Sequence, residues 1–244
     1  MSETAAAGLL AVLACVAGPA GAADQRPVVV ELFTSQGCSS CPPADAFLAD
    51  LAKRDDVIAL GFHVDYWDYI GWRDPFASSA NTGRQRAYAR RLGLSTIYTP
   101  QMVVDGRFDV VGSHRSVAKA RIEDARRRLA VMPGPAIKLG DQDGRHVATI
   151  AAAPDGKAEP CRVLFAAWRR SATTDVRKGE NAGRQLLDAN IVTALEDLGG
   201  WTGKAASFPL PLDAMQRLAE GGYAVLVQSE SGEFVAAEQR RSQR

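Results

Sequence analysis

The stretch that most constrains this chain is a strand-like run that leads into two cysteines. Val28, Val29, Val30, Leu32 and Phe33 form an apolar run broken only by Glu31, and Cys38 and Cys41 follow after a short polar loop. A continuous β-branched and aromatic run of this length predicts a central strand covered on both faces. From Cys41 onward the period changes. Ala44, Phe47, Leu48, Leu51 and Ala52 fall at i, i+3, i+4, i+7 and i+8, the spacing of one apolar helix face. Pro42 and Pro43 suit the first helical turn, where a missing N–H costs nothing. Asp45 near the start and Lys53 and Arg54 near the end complement the helix dipole. The two thiols therefore stand where a buried strand turns into a helix.

That placement carries chemistry. Free N–H groups and the dipole at a helix start stabilise a thiolate, and the thiolate is the form that attacks a disulfide. Cys38 precedes the helix and is the expected nucleophile. Cys41, shielded at its first turn, is the expected resolving thiol. A bridge between them closes too small a loop to stabilise a fold usefully, so a redox or metal role is expected for the pair. The alternatives are a binding module whose disulfide is merely structural, or a metal carrier that adds His63, at the end of the next apolar run, to Cys38 and Cys41 as a soft site for Cu(I) or Zn(II). No cofactor is expected: the chain carries no phosphate-binding loop, dinucleotide fingerprint or serine elbow.

A formal charge of +1 gives no electrostatic reason to expect nucleic acid or an anionic membrane surface as partner. Protein or small-molecule thiols and disulfides, or a redox partner protein, fit the thiol pair better. Residues 1–23 differ from the rest. Residues 5–17 are almost wholly small and apolar, and Ala20, Gly21 and Ala22 offer a cleavage site, so 1–23 reads as a secretory signal too short to span a membrane. The first four residues lack the usual Lys or Arg and include Glu3. A periplasmic or secreted location is the expectation, with a lipid anchor at Cys15 (in Val12, Leu13, Ala14, Cys15) as the alternative. Cys161 opens an apolar run and is expected as a buried free thiol.

The order of elements extends the argument. Residues 57–64 form a second strand, and residues 65–76 an aromatic-rich connection with Tyr66, Trp67, Tyr69 and Trp72. A helix follows to Leu92, stopped by Gly93. Residues 100–111 predict a hairpin turning at Asp105 and Gly106, with Pro100 at the first strand's start. A helix over 116–130 places Ala118, Ile122, Ala125 and Leu129 on one face. The order β–α–β–α–β–β–α is the thioredoxin-like order, with parallel first strands and an antiparallel hairpin. Met132, Pro133, Gly134 and Pro135 mark a boundary. Beyond it come short strands at 136–139, 146–152, 161–168, 208–212, 223–229 and 234–238, while helix and strand patterns compete over 190–198. The expected fold is a thioredoxin-like α/β domain over 24–132 and a β-rich, immunoglobulin-like sandwich over 133–244.

Longer motifs sharpen this. Residues 31–45, then His63 to Tyr69, Gly71 and Trp72, Asp74 to Phe76, Tyr98 to Gln101, residues 179–184 and residues 200–203 resemble the bacterial secreted family called domain of unknown function 1223. The resemblance spans almost the whole chain after residue 23. It implies a thioredoxin-like domain beside a β-rich one and names no substrate. By the thioredoxin-like resemblance Pro100 is cis and faces the thiols, and the Thr99 backbone pairs with an extended substrate. The same resemblance makes Glu31 a buried acid exchanging a proton with Cys41; the competing reading pairs it with a base. Trp67 and Trp72 either wall a substrate groove or pack against the fold.

Overall fold

The computed structural model describes residues 25–242 except 155 and 212. The expected leader over 1–23, with Cys15, lies outside them. No helix among the described residues is long and apolar enough to cross a membrane.

The run at the start of the chain is strand β1 (Val28–Thr34), and all seven of its residues are buried. It lies between β2 (Val57–His63), parallel to it, and β3 (Gln101–Val104), antiparallel to it. β3 turns into β4 (Phe108–Val111) through Asp105 and Gly106, both with positive φ, as that dipeptide predicts. Helices α1 (Pro42–Leu51), α2 (Ser79–Arg91) and α3 (Arg115–Val131) complete the order β1–α1–β2–α2–β3–β4–α3. Ser78 caps α2 by accepting the Asn81 N–H at 3.2 Å.

Strand parity divides the core. Val28, Val30 and Leu32 pack with Phe47, Leu48 and Leu51 of α1 and Ala118, Ile122 and Leu129 of α3. Val29 and Phe33 point the other way, toward Phe62 and Tyr88 of α2. Each large side chain removed from water here contributes roughly 1.5–3 kcal/mol.

The second half takes a form other than an independent sandwich. The remaining elements are β5 (Ile137–Gln142), β6 (Arg145–Ile150), β7 (Cys161–Asp175), β8 (Gln185–Trp201), β9 (Ala206–Pro209), α4 (Ala214–Glu220), β10 (Gly221–Ser229) and β11 (Phe234–Arg241). Four of these strands extend the first sheet, giving the eight-stranded order β11-β10-β7-β8-β2-β1-β3-β4. The join is a parallel pairing of Gly61 in β2 with Ile191 in β8, and Asn190 Nδ2 donates to the Ala59 carbonyl at 2.8 Å. β5, β6 and β9 form a separate three-stranded sheet. Its Ala148 and Ile150 pack with Phe165, Tyr223 and Val225 of the large sheet. The competing patterns over 190–198 resolve as strand, and the strand expected at 208–212 lies earlier, at Ala206–Pro209.

The large sheet curls until its far strands meet its first ones. Leu164, Trp168, Leu226 and Phe234 share a core with Val29, Phe33 and Tyr88. Gly106 sits so close to the Gly232 carbonyl that a Cβ there has no room. The β7–β8 hairpin runs beyond the sheet, and its turn, residues 176–184, reaches the cysteines.

Candidate active site

Cys38 and Cys41 are joined by a disulfide, with their Cα atoms 5.4 Å apart. Successive tight turns build the loop: Cys38 N–H bonds the Ser35 carbonyl at 3.1 Å and Cys41 N–H bonds the Cys38 carbonyl at 3.2 Å. Cys41 is the N-cap of α1 and Pro42 its first residue. The Cys41 carbonyl accepts the Ala44 and Asp45 N–H groups at 2.8 and 3.1 Å. Both cysteines are fully buried, while Ser39 and Ser40 between them are exposed. Cys38 Sγ lies 3.3 Å from Ser40 Oγ.

Three other segments close on this loop. The first is Thr99–Pro100, a cis peptide bond. Pro100, Leu32 and Ala44 of α1 converge on Gly112, where a Cβ would lie within 3.3 Å of all three. The second is the aromatic connection. Trp67 Nε1 donates to Thr99 Oγ1 at 2.7 Å, and its Cβ stands 3.2 Å from where a Cβ on Gly37 would be. Trp72 Nε1 donates to Gln36 Oε1 at 3.1 Å. Both indoles are half-buried and both N–H groups are bonded within the protein.

The third is the β7–β8 turn. Asn181, fully buried, donates its Nδ2 hydrogens to the Gln36 and Cys38 carbonyls, each at 2.9 Å. The Glu180 carboxylate accepts the Ser39 N–H at 3.0 Å. The Ser39 hydroxyl and N–H hold the Glu180 carboxyl below its usual range. Beside the turn, a groove of about 410 Å³ is lined by Ser39, Pro42, Pro43, Arg184, Gln185 and Leu186.

Beneath the loop lies a buried polar cluster. Gln36 is its hub: its N–H donates to Asp74 Oδ2 at 2.8 Å, and its Nε2 donates to Asp188 Oδ2 at 2.7 Å and Thr174 Oγ1 at 3.0 Å. His63 Nδ1 lies 2.7 Å from Asp74 Oδ2, and its Nε2 lies 3.9 Å from Asp188 Oδ1. Thr34 Oγ1 donates to Asp45 Oδ1 at 2.7 Å. Burial by itself would lower the His63 pKa, but the hydrogen bond and charge of Asp74, then Asp188 and Asp45, raise it to about 9. Burial, then the Asp188 charge, push Asp45 up to about 7, against the opposing Thr34 hydrogen bond. Burial raises Asp188 as well. Burial would also raise Asp74, but the bond to His63 keeps its carboxyl below the ordinary range.

Of the two readings of Glu31, the pairing with a base is the one present. Glu31 does not face the thiols. Arg84 Nε donates to it at 2.6 Å, Tyr88 donates its hydroxyl to it, and Gln228 Nε2 bonds the Tyr88 oxygen at 2.8 Å. The reason is parity: Glu31 shares the α2 face with Val29 and Phe33, while the cysteines start α1 on the opposite face. His63 likewise is held by Asp74. Among the described residues no group of three or more His, Cys, Asp or Glu side chains is arranged to hold a metal ion. Cys161 is a buried free thiol in the second core, and burial, then nearby acids, push its thiol to about 11.

The structure adds Gln36, Asp45, Asp74, Glu180, Asn181 and Asp188 to the site. Asp45 had a legible signal: it stands one turn before Leu48, at the edge of the apolar stripe, so its carboxyl is carried under the helix. Asn181 and Glu180 lie in the 179–184 motif that carries the family resemblance, which marks the segment and gives neither residue a role.

Fold and site together define an α/β protein with a buried disulfide at a helix start, enclosed by a hairpin from its second half. The chain belongs to the family described as Protein of unknown function (DUF1223), whose model matches residues 29–228. Among solved structures it is similar to the crystal structure of protein AGR_C_4864 from Agrobacterium tumefaciens, with 33% identity and a TM-score of 0.77 over 91% of this chain and 96% of that one. It also shares a fold with HBP35 of Porphyromonas gingivalis, at 14% identity and a TM-score of 0.57 over 89% of this chain and 76% of that one. No curated protein matches its sequence.

Proposed function

We propose that this chain is an exported thiol–disulfide exchange protein on a thioredoxin-like scaffold. The observation that carries the reading is the Cys38–Cys41 disulfide at the N-terminus of α1. A bridge spanning three residues constrains almost nothing in the unfolded chain, so stability gives little reason for it. The helix start supplies what a reactive thiol needs instead.

A substrate thiolate attacks Cys38 Sγ, the Cys38–Cys41 bond breaks, and Cys41 leaves as a thiolate that takes up a proton. A second substrate thiolate then attacks the substrate sulfur of the mixed disulfide, whose bond to Cys38 Sγ breaks and expels Cys38 as a thiolate. The two substrate thiols leave as a disulfide, and both cysteines are reduced. In the reverse direction Cys38 attacks a substrate disulfide and Cys41 resolves the intermediate. Thr99 borders the site with its backbone N–H and C=O unpaired to other backbone among the described residues, which suits pairing with an extended substrate. Trp67 shapes that side through Thr99, and the groove along Pro42, Pro43 and Leu186 offers apolar surface on the other.

The test uses the full chain. Cys41→Ser is expected to trap a mixed disulfide on Cys38 with glutathione, seen as a mass increase, and Cys38→Ser is expected to trap none. A redox titration gives the potential and so the direction. A wild-type pair that exchanges with neither glutathione nor dithiothreitol sinks the reading.

A further inference from the structure

The thiol pair is held by the other half of the chain. Three hydrogen bonds bracket Cys38: Asn181 Nδ2 to the carbonyls of Gln36 and Cys38, and Ser39 N–H to Glu180. Both partners, Asn181 and Glu180, come from the turn between β7 and β8, more than a hundred residues away. That turn is firm in itself. Gly183 N–H bonds the Val176 carbonyl at 2.8 Å and Arg184 N–H bonds the Asn181 carbonyl at 3.1 Å, while Arg184 Nη1 bonds Asn181 Oδ1 at 2.9 Å. Gly179, with φ +75°, seats the turn against Trp72 and Ile70, leaving 3.2 Å between a would-be Cβ and Trp72 Cβ. The result is a rigid turn over sulfurs with no exposed surface.

We propose that Glu180 and Asn181 are the positioning residues of the Cys38–Cys41 site and set how readily its disulfide opens. The inference rests on the thiol-exchange reading and extends it. Asn181 acts through the backbone on both sides of Cys38, fixing the loop in the geometry that closes the disulfide and keeps Cys38 Sγ from an incoming thiolate. Glu180 takes the Ser39 N–H, a donor at the helix start, and sets a negative charge beside the place where the Cys38 thiolate forms. Both effects favour the closed, oxidised pair. Arg177, Lys178 and Arg184 share the turn and offset part of the Glu180 charge, so its effect on the Cys38 thiolate is small and acts at short range through its place on the Ser39 N–H.

The test measures two quantities on the full chain: the rate constant for opening the disulfide with dithiothreitol, and the pH midpoint for iodoacetamide alkylation of Cys38 in the reduced protein. Asn181→Asp keeps the side-chain volume and removes both donors; Asn181→Ala removes the side chain. Each is expected to open on the order of tenfold faster, the factor expected from about one net hydrogen bond. Glu180→Gln is expected to lower the alkylation midpoint by a few tenths of a pH unit, an effect that shrinks in high salt. Ala182→Ser, exposed in the same turn, is the control and is expected to match wild type. A role confined to holding the fold together would lower stability and leave the alkylation midpoint in place. Unchanged rates and midpoints in Asn181→Asp and Glu180→Gln overturn the proposal. Should the Asn181 variants fail to fold, the Glu180→Gln midpoint decides. A wild-type disulfide inert to dithiothreitol instead removes the exchange reading beneath it.

Discussion

The substitution Asp45→Asn tests the buried carboxyl cluster most directly. In the folded chain Asp45 titrates at about 7, against 3.8 ordinarily, because burial and the Asp188 charge oppose its ionisation. Between about pH 4 and 7 the folded chain therefore holds a proton that the unfolded chain has released, and stability falls as pH rises through that window. At ~1.4 kcal/mol per pH unit the ceiling on this loss is about 4 kcal/mol. Asp188 and His63 share the cluster and redistribute charge, which sets the expected loss at roughly 2–4 kcal/mol. Asparagine keeps the oxygen that accepts from Thr34 and has no proton to lose. The variant should thus lack this falling limb. His63 adds a second limb in both proteins. Its pKa rises from 6.5 to about 9, so the stability that protonated His63 contributes is complete below 6.5 and is lost as pH rises through 9. The assay is urea unfolding of the oxidised chain, followed by tryptophan fluorescence from pH 4.5 to 8.5. The stability of Asp45→Asn relative to wild type should grow by roughly 2–4 kcal/mol across that range, whatever fixed cost the new amide brings. A constant difference, with two parallel curves, would refute the reasoning, because it would mean that Asp45 ionises in the folded chain as it does in water.

Two further outcomes follow from other buried groups. Arg84→Met should cost roughly 3–5 kcal/mol in the same assay, because it strips the countercharge from Glu31, which is fully buried; adding Glu31→Gln should recover most of that loss, and a cost below about 1 kcal/mol would show that Tyr88 alone satisfies the carboxylate. Cys161, buried in the core with its thiol pushed to about 11, should resist iodoacetamide at pH 8 in the native reduced chain while Cys38 reacts; modification of both at similar rates would contradict its placement.

The first half was largely legible because its signals are local. Val28 to Phe33 predict a buried strand and the Ala44, Phe47, Leu48 and Leu51 stripe a helix, while Asp105 and Gly106 predict a turn; each is present. What local signals leave out is which distant elements become neighbours. The thioredoxin-like resemblance makes Glu31 a proton carrier to Cys41, while the competing reading pairs it with a base, and the ion pair with Arg84 is the reading that the structure shows. Only the assignment of α1 and α2 to opposite faces shows that Glu31 shares its side of β1 with Tyr88. The second half was misread for a related reason. Residues 169–175 of β7 alternate without a strong apolar face because the hairpin there leaves the main core, so the run looked shorter than it is. The pairing of Gly61 with Ile191 turns two expected units into one sheet, and no local period encodes a contact across 130 residues.

That shared sheet changes what belongs to the site. Every polar atom of Gln36 is engaged, by partners from the aromatic connection, the β7–β8 turn and the two strands that flank it. Its N–H goes to Asp74 in the aromatic connection, its carbonyl accepts from Asn181, its Oε1 accepts from Trp72, and its Nε2 bonds Thr174 in β7 and Asp188 in β8. A fully satisfied buried network of this kind resists partial rearrangement, since breaking one bond leaves a polar group unpaired in a low-dielectric interior. A shift in β7, β8 or the aromatic connection must therefore reach the loop two residues before Cys38. On the thiol-exchange reading, the working unit is the β1–α1 loop together with the β7–β8 hairpin. The proline-rich boundary near residue 133 then separates two stretches of sequence whose side chains build one site.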